Sequence, residues 1–159
     1  MSAFRFPYQR ISSPLASEIA RFKHYPIKTL ALANNSSFIK TEGYIDTGSQ
    51  WCLFNHFFAK HLGIKDFTDT KIKVPLAGIG GRQQGNMAYF HELNLCIFKD
   101  NTKLDRGNAW KIKTMLGFLE NEIGFAGILG VFGFLDQFIF KTNIPEGYFE
   151  LTPVFDVAD

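Results

Sequence analysis

Along most of this chain apolar residues alternate with polar ones at a spacing of two, the period of a half-buried strand. Leu93, Leu95 and Ile97 fall on one face of the stretch from His91 to Phe98, and Trp110, Ile112, Thr114 and Leu116 alternate with Lys111, Lys113 and Met115. Strands are also read over 27–33, 38–45, 128–130, 139–141 and 148–152. Turn-forming runs separate them: Asn34-Asn35-Ser36-Ser37, the polar excursion 99–108 and Ile144-Pro145-Glu146-Gly147. Residues 71–76 and 84–90 read as the two arms of a hairpin, with Gly78-Ile79-Gly80-Gly81 at its tip. Helical spacing is brief. Asn55 is placed to cap a short helix through Leu62, with Phe57, Phe58 and Leu62 on its core face and Gly63 as its stop. A helical turn is expected within 132–138. Many short strands with one or two short helices predict an all-β domain, a closed or partly closed barrel, and no internal repeat is visible.

Composition narrows the partners. At 159 residues the chain suffices for one domain with a real core, and 18 phenylalanines point to aromatic-lined pockets or a subunit interface. A net charge of +2 offers no basic stripe for nucleic acid. Residues 1–26 gather Arg5, Arg10, Arg21 and Lys23 against Glu18, with Pro7 and Pro14 barring a long helix, and are read as an N-terminal arm on a domain spanning 27–159. In that arm Phe4, Phe6 and Tyr8 are interrupted by Arg5, Pro7 and Gln9, unlike the charged-then-apolar order of a signal peptide. The most apolar run, 123–135, carries Gly124, Gly127, Gly130 and Gly133 and falls short of the ~20 residues of a spanning helix. Cys52 and Cys96 lack metal or redox spacing and read as reduced core thiols, with a single disulfide as the alternative. The expectation is a soluble, cytoplasmic protein without a membrane or nucleic-acid partner.

The candidate chemistry lies at Asp46-Thr47-Gly48-Ser49, where the strand ending at Ile45 runs into a carboxylate, a hydroxyl, a glycine and a serine. Glycine lets another backbone approach closely, and the hydroxyls can hold the acid in one orientation. Ser49 is placed to donate to the ionised carboxylate, which favours the charged form and an acidic optimum. Hydrolysis of a peptide by carboxylates needs two acids sharing one proton, one activating water and the other protonating the carbonyl oxygen. Asp69-Thr70-Lys71 and Asp105-Arg106-Gly107 are not second copies of the motif, so one chain supplies half a site and a two-fold homodimer would complete it. His56 and His61, five residues apart, share no helix face, and no metal or cofactor is expected. The glycine-rich tip lacks the spacing of a phosphate cradle.

The order Asp46-Thr47-Gly48-Ser49, then Gly78-Ile79-Gly80-Gly81, then Ile128-Leu129-Gly130 resembles a retropepsin, the single-domain aspartic protease of retroviruses, and still more its bacterial retropepsin-like relatives. Gly133-Phe134-Leu135-Asp136 resembles the start of the short helix that follows in the bacterial members. The resemblance covers roughly 27–152 and implies a closed β-barrel with a flap hairpin, acting as a homodimeric aspartic endopeptidase on a peptide or protein substrate. It implies that Asp46 is the general acid/base, that Thr47 locks two such loops together across the dimer, and that Gly48 offers its backbone to the substrate. Ser49 and the flap residues Gly78, Ile79, Gly80 and Gly81 would contact substrate, while Ile128, Leu129 and Gly130 would support the loop from beneath. Two positions depart from the retroviral pattern. Gln50 stands where those enzymes place an acid and Val131 where they place an arginine, so a salt bridge near the dimer interface is missing as a pair. That departure sustains a second reading, a catalytically inactive retropepsin-like module that binds peptides or assembles with a partner.

Overall fold

The alternating pattern resolves, in a computed structural model describing residues 2–12, 22–77 and 85–154, into a barrel with a small sheet beside it. The strands are β1 (Phe4–Pro7), β2 (Gln9–Ser12), β3 (Phe22–Tyr25), β4 (Ile27–Asn34), β5 (Ser37–Ile45) and β6 (Leu53–Asn55). They continue as β7 (Lys73–Leu76), β8 (Asn86–Phe98), β9 (Ala109–Leu119), β10 (Gly127–Leu129), β11 (Phe138–Asn143) and β12 (Tyr148–Pro153). One short helix, α1 (Phe57–His61), follows β6. Among the described residues no helix is long and apolar enough to cross a membrane.

Six strands close the barrel in the order β4-β5-β10-β6-β9-β8, with β8 returning to β4. Closure depends on the length of β8, whose 13 residues allow one edge to serve two partners. Its first part pairs with β7, from Leu76↔Asn86 to Lys73↔Tyr89. Its later part pairs with β4, from Leu30↔Ile97 to Ala33↔Asn94. The other edge of β8 runs against β9 throughout, from Ala88↔Leu119 to Phe98↔Ala109. Closing a sheet this way removes the exposed edges that an open sheet would carry. Inside lie Leu30, Leu32, Leu95, Trp110, Leu116 and Phe118, none more than 1% exposed. The all-β barrel expected from the alternation is therefore present.

The strand that positions the candidate loop is β10. It lies between β5 and β6, parallel to the first (Ile128↔Tyr44) and antiparallel to the second (Ile128↔Leu53). The connection from β5 to β6, residues 46–52, must therefore pass across the end of β10. Gly127 makes the tight packing possible, because a Cβ there would lie 2.3 Å from the Phe54 ring.

The first residues form strands that the sequence reading did not assign. β1 pairs antiparallel with β12 (Phe4↔Leu151, Phe6↔Phe149), giving a three-stranded sheet β1-β12-β11, and β2 pairs with β3. What looked like an interruption of Phe4, Phe6 and Tyr8 by polar residues is a strand's own period. Phe6 is buried with Phe149 and Leu151, while Arg5 turns outward to Glu150 at 2.8 Å and lies over the Tyr148 ring. Pro7, with no N–H to give, ends the strand.

The helix also differs. Asn55 does not cap it. Asn55 belongs to β6, and its side chain donates to Phe125 O (3.0 Å) and accepts from Ile123 N (3.0 Å), tying the approach to β10. The N-cap position is His56, without a side-chain cap bond. Phe58 and Leu62 are buried as expected, but Phe57 is 43% exposed. Within 132–138 the helical turn shrinks to a 3-10 turn over Leu135–Gln137. Cys52 and Cys96 are free thiols, both buried.

Candidate active site

Asp46 stands at the point where β5 leaves the sheet. Its amide still follows the parallel register, donating to Leu129 O at 3.1 Å. The chain then turns: Ser49 N donates to Asp46 O (3.2 Å), and Gly48 N donates to the carboxylate oxygen Asp46 Oδ1 (2.9 Å). One carboxylate oxygen is thus held by a backbone donor, which fixes the orientation of the acid. Asp46 is half-buried, Thr47 and Gly48 are exposed, and Ser49 is buried.

Beneath the loop lies the turn that follows β10. Val131 N donates to Ser49 O and Phe132 N to Gln50 O, both at 2.9 Å. Gly130 sits where the two segments touch: a Cβ would come within 2.3 Å of Trp51 O and 2.7 Å of Ser49 O. Any larger residue would push backbone against backbone. Asp136, on the same turn, accepts from Gly133 N (3.0 Å) and Gln137 Nε2 (3.1 Å) and so braces its own loop. Cys52 lies under the crossing, its Sγ directed at Phe132 O (3.4 Å), and burial pushes the thiol up to about 12. A thiol that reluctant to ionise is no nucleophile.

Ser49 departs from its expected role. Its hydroxyl donates to Trp51 O (2.9 Å) rather than to the Asp46 carboxylate, closing a small turn inside the loop. Gln50 and Val131 take part through their backbones, which supply part of the loop's anchorage without charge.

The carboxylate opens onto a cleft of about 430 Å³. Asp46, Gly48, Ser49 and Gln50 form one side; Trp51, Leu53 and the β7 residues Val74, Pro75 and Leu76 line the rest. Trp51 is set edge-on to Phe90 (5.3 Å) and tilted against Phe132 (5.3 Å), which fixes it as an apolar wall. These wall residues were not singled out from the sequence, because a hairpin read from it does not show which of its side chains face the loop. The hairpin arms β7 and β8 meet in antiparallel register at Leu76↔Asn86. Gly78, Ile79, Gly80 and Gly81, expected at its tip, lie outside the described residues. Ile128 and Leu129 are buried within β10, immediately before Gly130.

Two residues before Asp46, Tyr44 faces a second, smaller recess. Burial raises its hydroxyl pKa, and the neighbouring Asp46 charge raises it further. Among the described residues no group of three or more His, Cys, Asp or Glu side chains is placed to hold a metal ion. Chemically, the site is one oriented carboxylate beside an apolar cleft.

No family model matches the chain, and no curated protein matches it. Among solved structures the chain is similar to a retropepsin-like aspartic protease from Rickettsia conorii, at 18% identity over 92% of this chain and 95% of that one, with a TM-score of 0.44.

Proposed function

We propose that this chain is an aspartic endopeptidase whose site forms when two copies bring their Asp46 carboxylates together across a two-fold axis. In that arrangement the two acids share one proton. The ionised one draws a proton from water as it attacks the peptide carbonyl, and the protonated one donates to the carbonyl oxygen. As the C–N bond of the tetrahedral diol breaks, the acid that took the water proton passes it to the leaving nitrogen and the other carboxylate takes a proton back from a diol hydroxyl, so the pair again shares one proton. The apolar walls contributed by Trp51, Leu53, Val74 and Leu76 suit an extended peptide carrying apolar side chains. Gly48 is exposed beside the acid, where its carbonyl can accept from that peptide while its N–H holds Asp46.

The observation that carries the reading is the support of the Asp46 loop by Gly130, with one carboxylate oxygen held by Gly48 N and the cleft opening directly onto the acid. A loop built only to satisfy its own turn would not need a glycine packed so close beneath it that a Cβ there would lie 2.3 Å from Trp51 O. The test is incubation of the purified protein with a denatured protein substrate between pH 3 and 7. Cleavage that is lost in Asp46→Ala is the expected result. Persistent binding of peptide without cleavage at any protein concentration would instead identify the inactive module.

A further inference from the structure

The smaller recess beside Asp46 is built from two parts of the chain that lie far apart in sequence. Its barrel side consists of Glu42 and Tyr44 on β5 with Phe125 and Gly127 at the entry to β10, and its outer side includes Gln9 on β2. The volume is about 230 Å³, room for one long side chain. Tyr44 and Phe125 stack in parallel at 4.7 Å, and Tyr25 of β3 closes edge-on against both, at 5.7 and 5.5 Å. Glu42 stands at the mouth, exposed, and among the described residues it accepts one hydrogen bond, from Gln9 Nε2 at 3.1 Å, and pairs with no cation.

A recess that joins aromatic faces to a carboxylate with spare acceptor capacity discriminates by charge. An ammonium or guanidinium gains from the ring quadrupoles and from the carboxylate together. An uncharged side chain of the same length gains neither the attraction to the rings nor the pairing with Glu42. We propose that this recess is a specificity pocket for a basic side chain, lysine or arginine, of the bound peptide, and that strands β2 and β3 complete it. The proposal rests on the endopeptidase reading for its biological setting, since Tyr44 lies two residues from Asp46 on the same strand. It adds a substrate class: peptides that present a basic residue near the bond to be cut.

The pocket can be tested without cleavage. The probes are the blocked amino acids N-acetyl-lysine methylamide and its uncharged counterpart N-acetyl-norleucine methylamide, titrated into the full chain and followed by NMR. The lysine probe is expected to shift resonances of Tyr25, Tyr44, Phe125 and Gly127 and to bind at least about fivefold more tightly than the norleucine probe. Glu42→Gln, a change at an exposed position, and Phe125→Leu are each expected to remove most of that preference. Equal binding of the two probes, shifts elsewhere, or a preference unchanged in both variants would overturn the proposal. Because neither probe has a scissile bond between residues, charge-selective binding without any peptide cleavage leaves the pocket standing and removes the endopeptidase. Cleavage with no charge preference does the reverse.

Discussion

The carboxylate of Asp46 and the amine of Lys28 stand at opposite extremes of the same barrel. Asp46 opens to solvent beside a cleft, oriented by Gly48 N. Lys28 is fully buried, its Nζ held by Asn101 Oδ1 (2.6 Å) and Thr29 O (3.1 Å) and lying 4.0 Å from the centre of the Phe6 ring. Loss of water lowers its pKa from 10.5 to about 7, against a smaller opposing pull from Asp100. The sign follows directly. Between about pH 7 and 10.5 the unfolded chain keeps this proton and the folded chain has released it, so stability rises with pH across that window. Below pH 7 both states are charged and the burial penalty is complete. Lys28→Met is therefore expected to be most stabilising, relative to the native protein, near neutrality. Its advantage should shrink as pH approaches 10, by at most ~1.4 kcal/mol per pH unit. Urea denaturation of both proteins from pH 6 to 10 measures this, and parallel stability curves would contradict it. Ser49 teaches a related lesson at this scale. The residue type was right for a hydroxyl donor, but the nearest acceptor in three dimensions is Trp51 O, and a sequence does not rank acceptors by geometry.

At the scale of elements, the loop 46–51 and the turn 130–136 form one unit, joined by Val131 N to Ser49 O and Phe132 N to Gln50 O. Gly130→Ala would place a methyl against Trp51 O, a backbone atom that cannot rotate away. The expected result is a loss of about 2–3 kcal/mol in stability together with loss of cleavage, since the loop carrying Asp46 must lift. Thermal unfolding and peptide hydrolysis check the two parts, and an unperturbed melting temperature would show that the close approach is not limiting. Much of this was legible in advance. Period-two alternation located the later part of β8 and most of β9, apolar stretches between turn residues located β4, β5 and β12, and the place of Gly130 beneath the loop came from the resemblance alone. The failures have physical causes. Phe4 to Tyr8 alternates as a strand, but its partner β12 begins more than a hundred residues later, and local pattern does not reveal such pairing. Asn55 has the chemistry of a helix cap, yet its amide serves Ile123 and Phe125 across the sheet, where it satisfies backbone groups next to β10. The aromatic recess depends on Gln9 and Tyr25 meeting Tyr44 and Phe125, again a matter of long-range packing.

For the whole molecule, a closed barrel with the β1-β12-β11 sheet beside it presents one Asp-Thr-Gly loop per chain. Asp136 is engaged within its own turn, so the second carboxylate is expected from a second copy. Gln50 and Val131 carry no charge, and the loop is anchored there through backbone hydrogen bonds, Val131 N to Ser49 O and Phe132 N to Gln50 O. Thr47 and Gly48, exposed in the single chain, are the surfaces that such a pairing would bring face to face. The most direct measurement is the separation of the two Asp46 carboxylates in a crystal structure of the active protein. The account predicts a two-fold dimer with facing carboxylate oxygens within hydrogen-bonding distance, about 2.5–3.0 Å. An active form in which the two acids lie far beyond that reach, or in which a lone chain cleaves peptide, would contradict it.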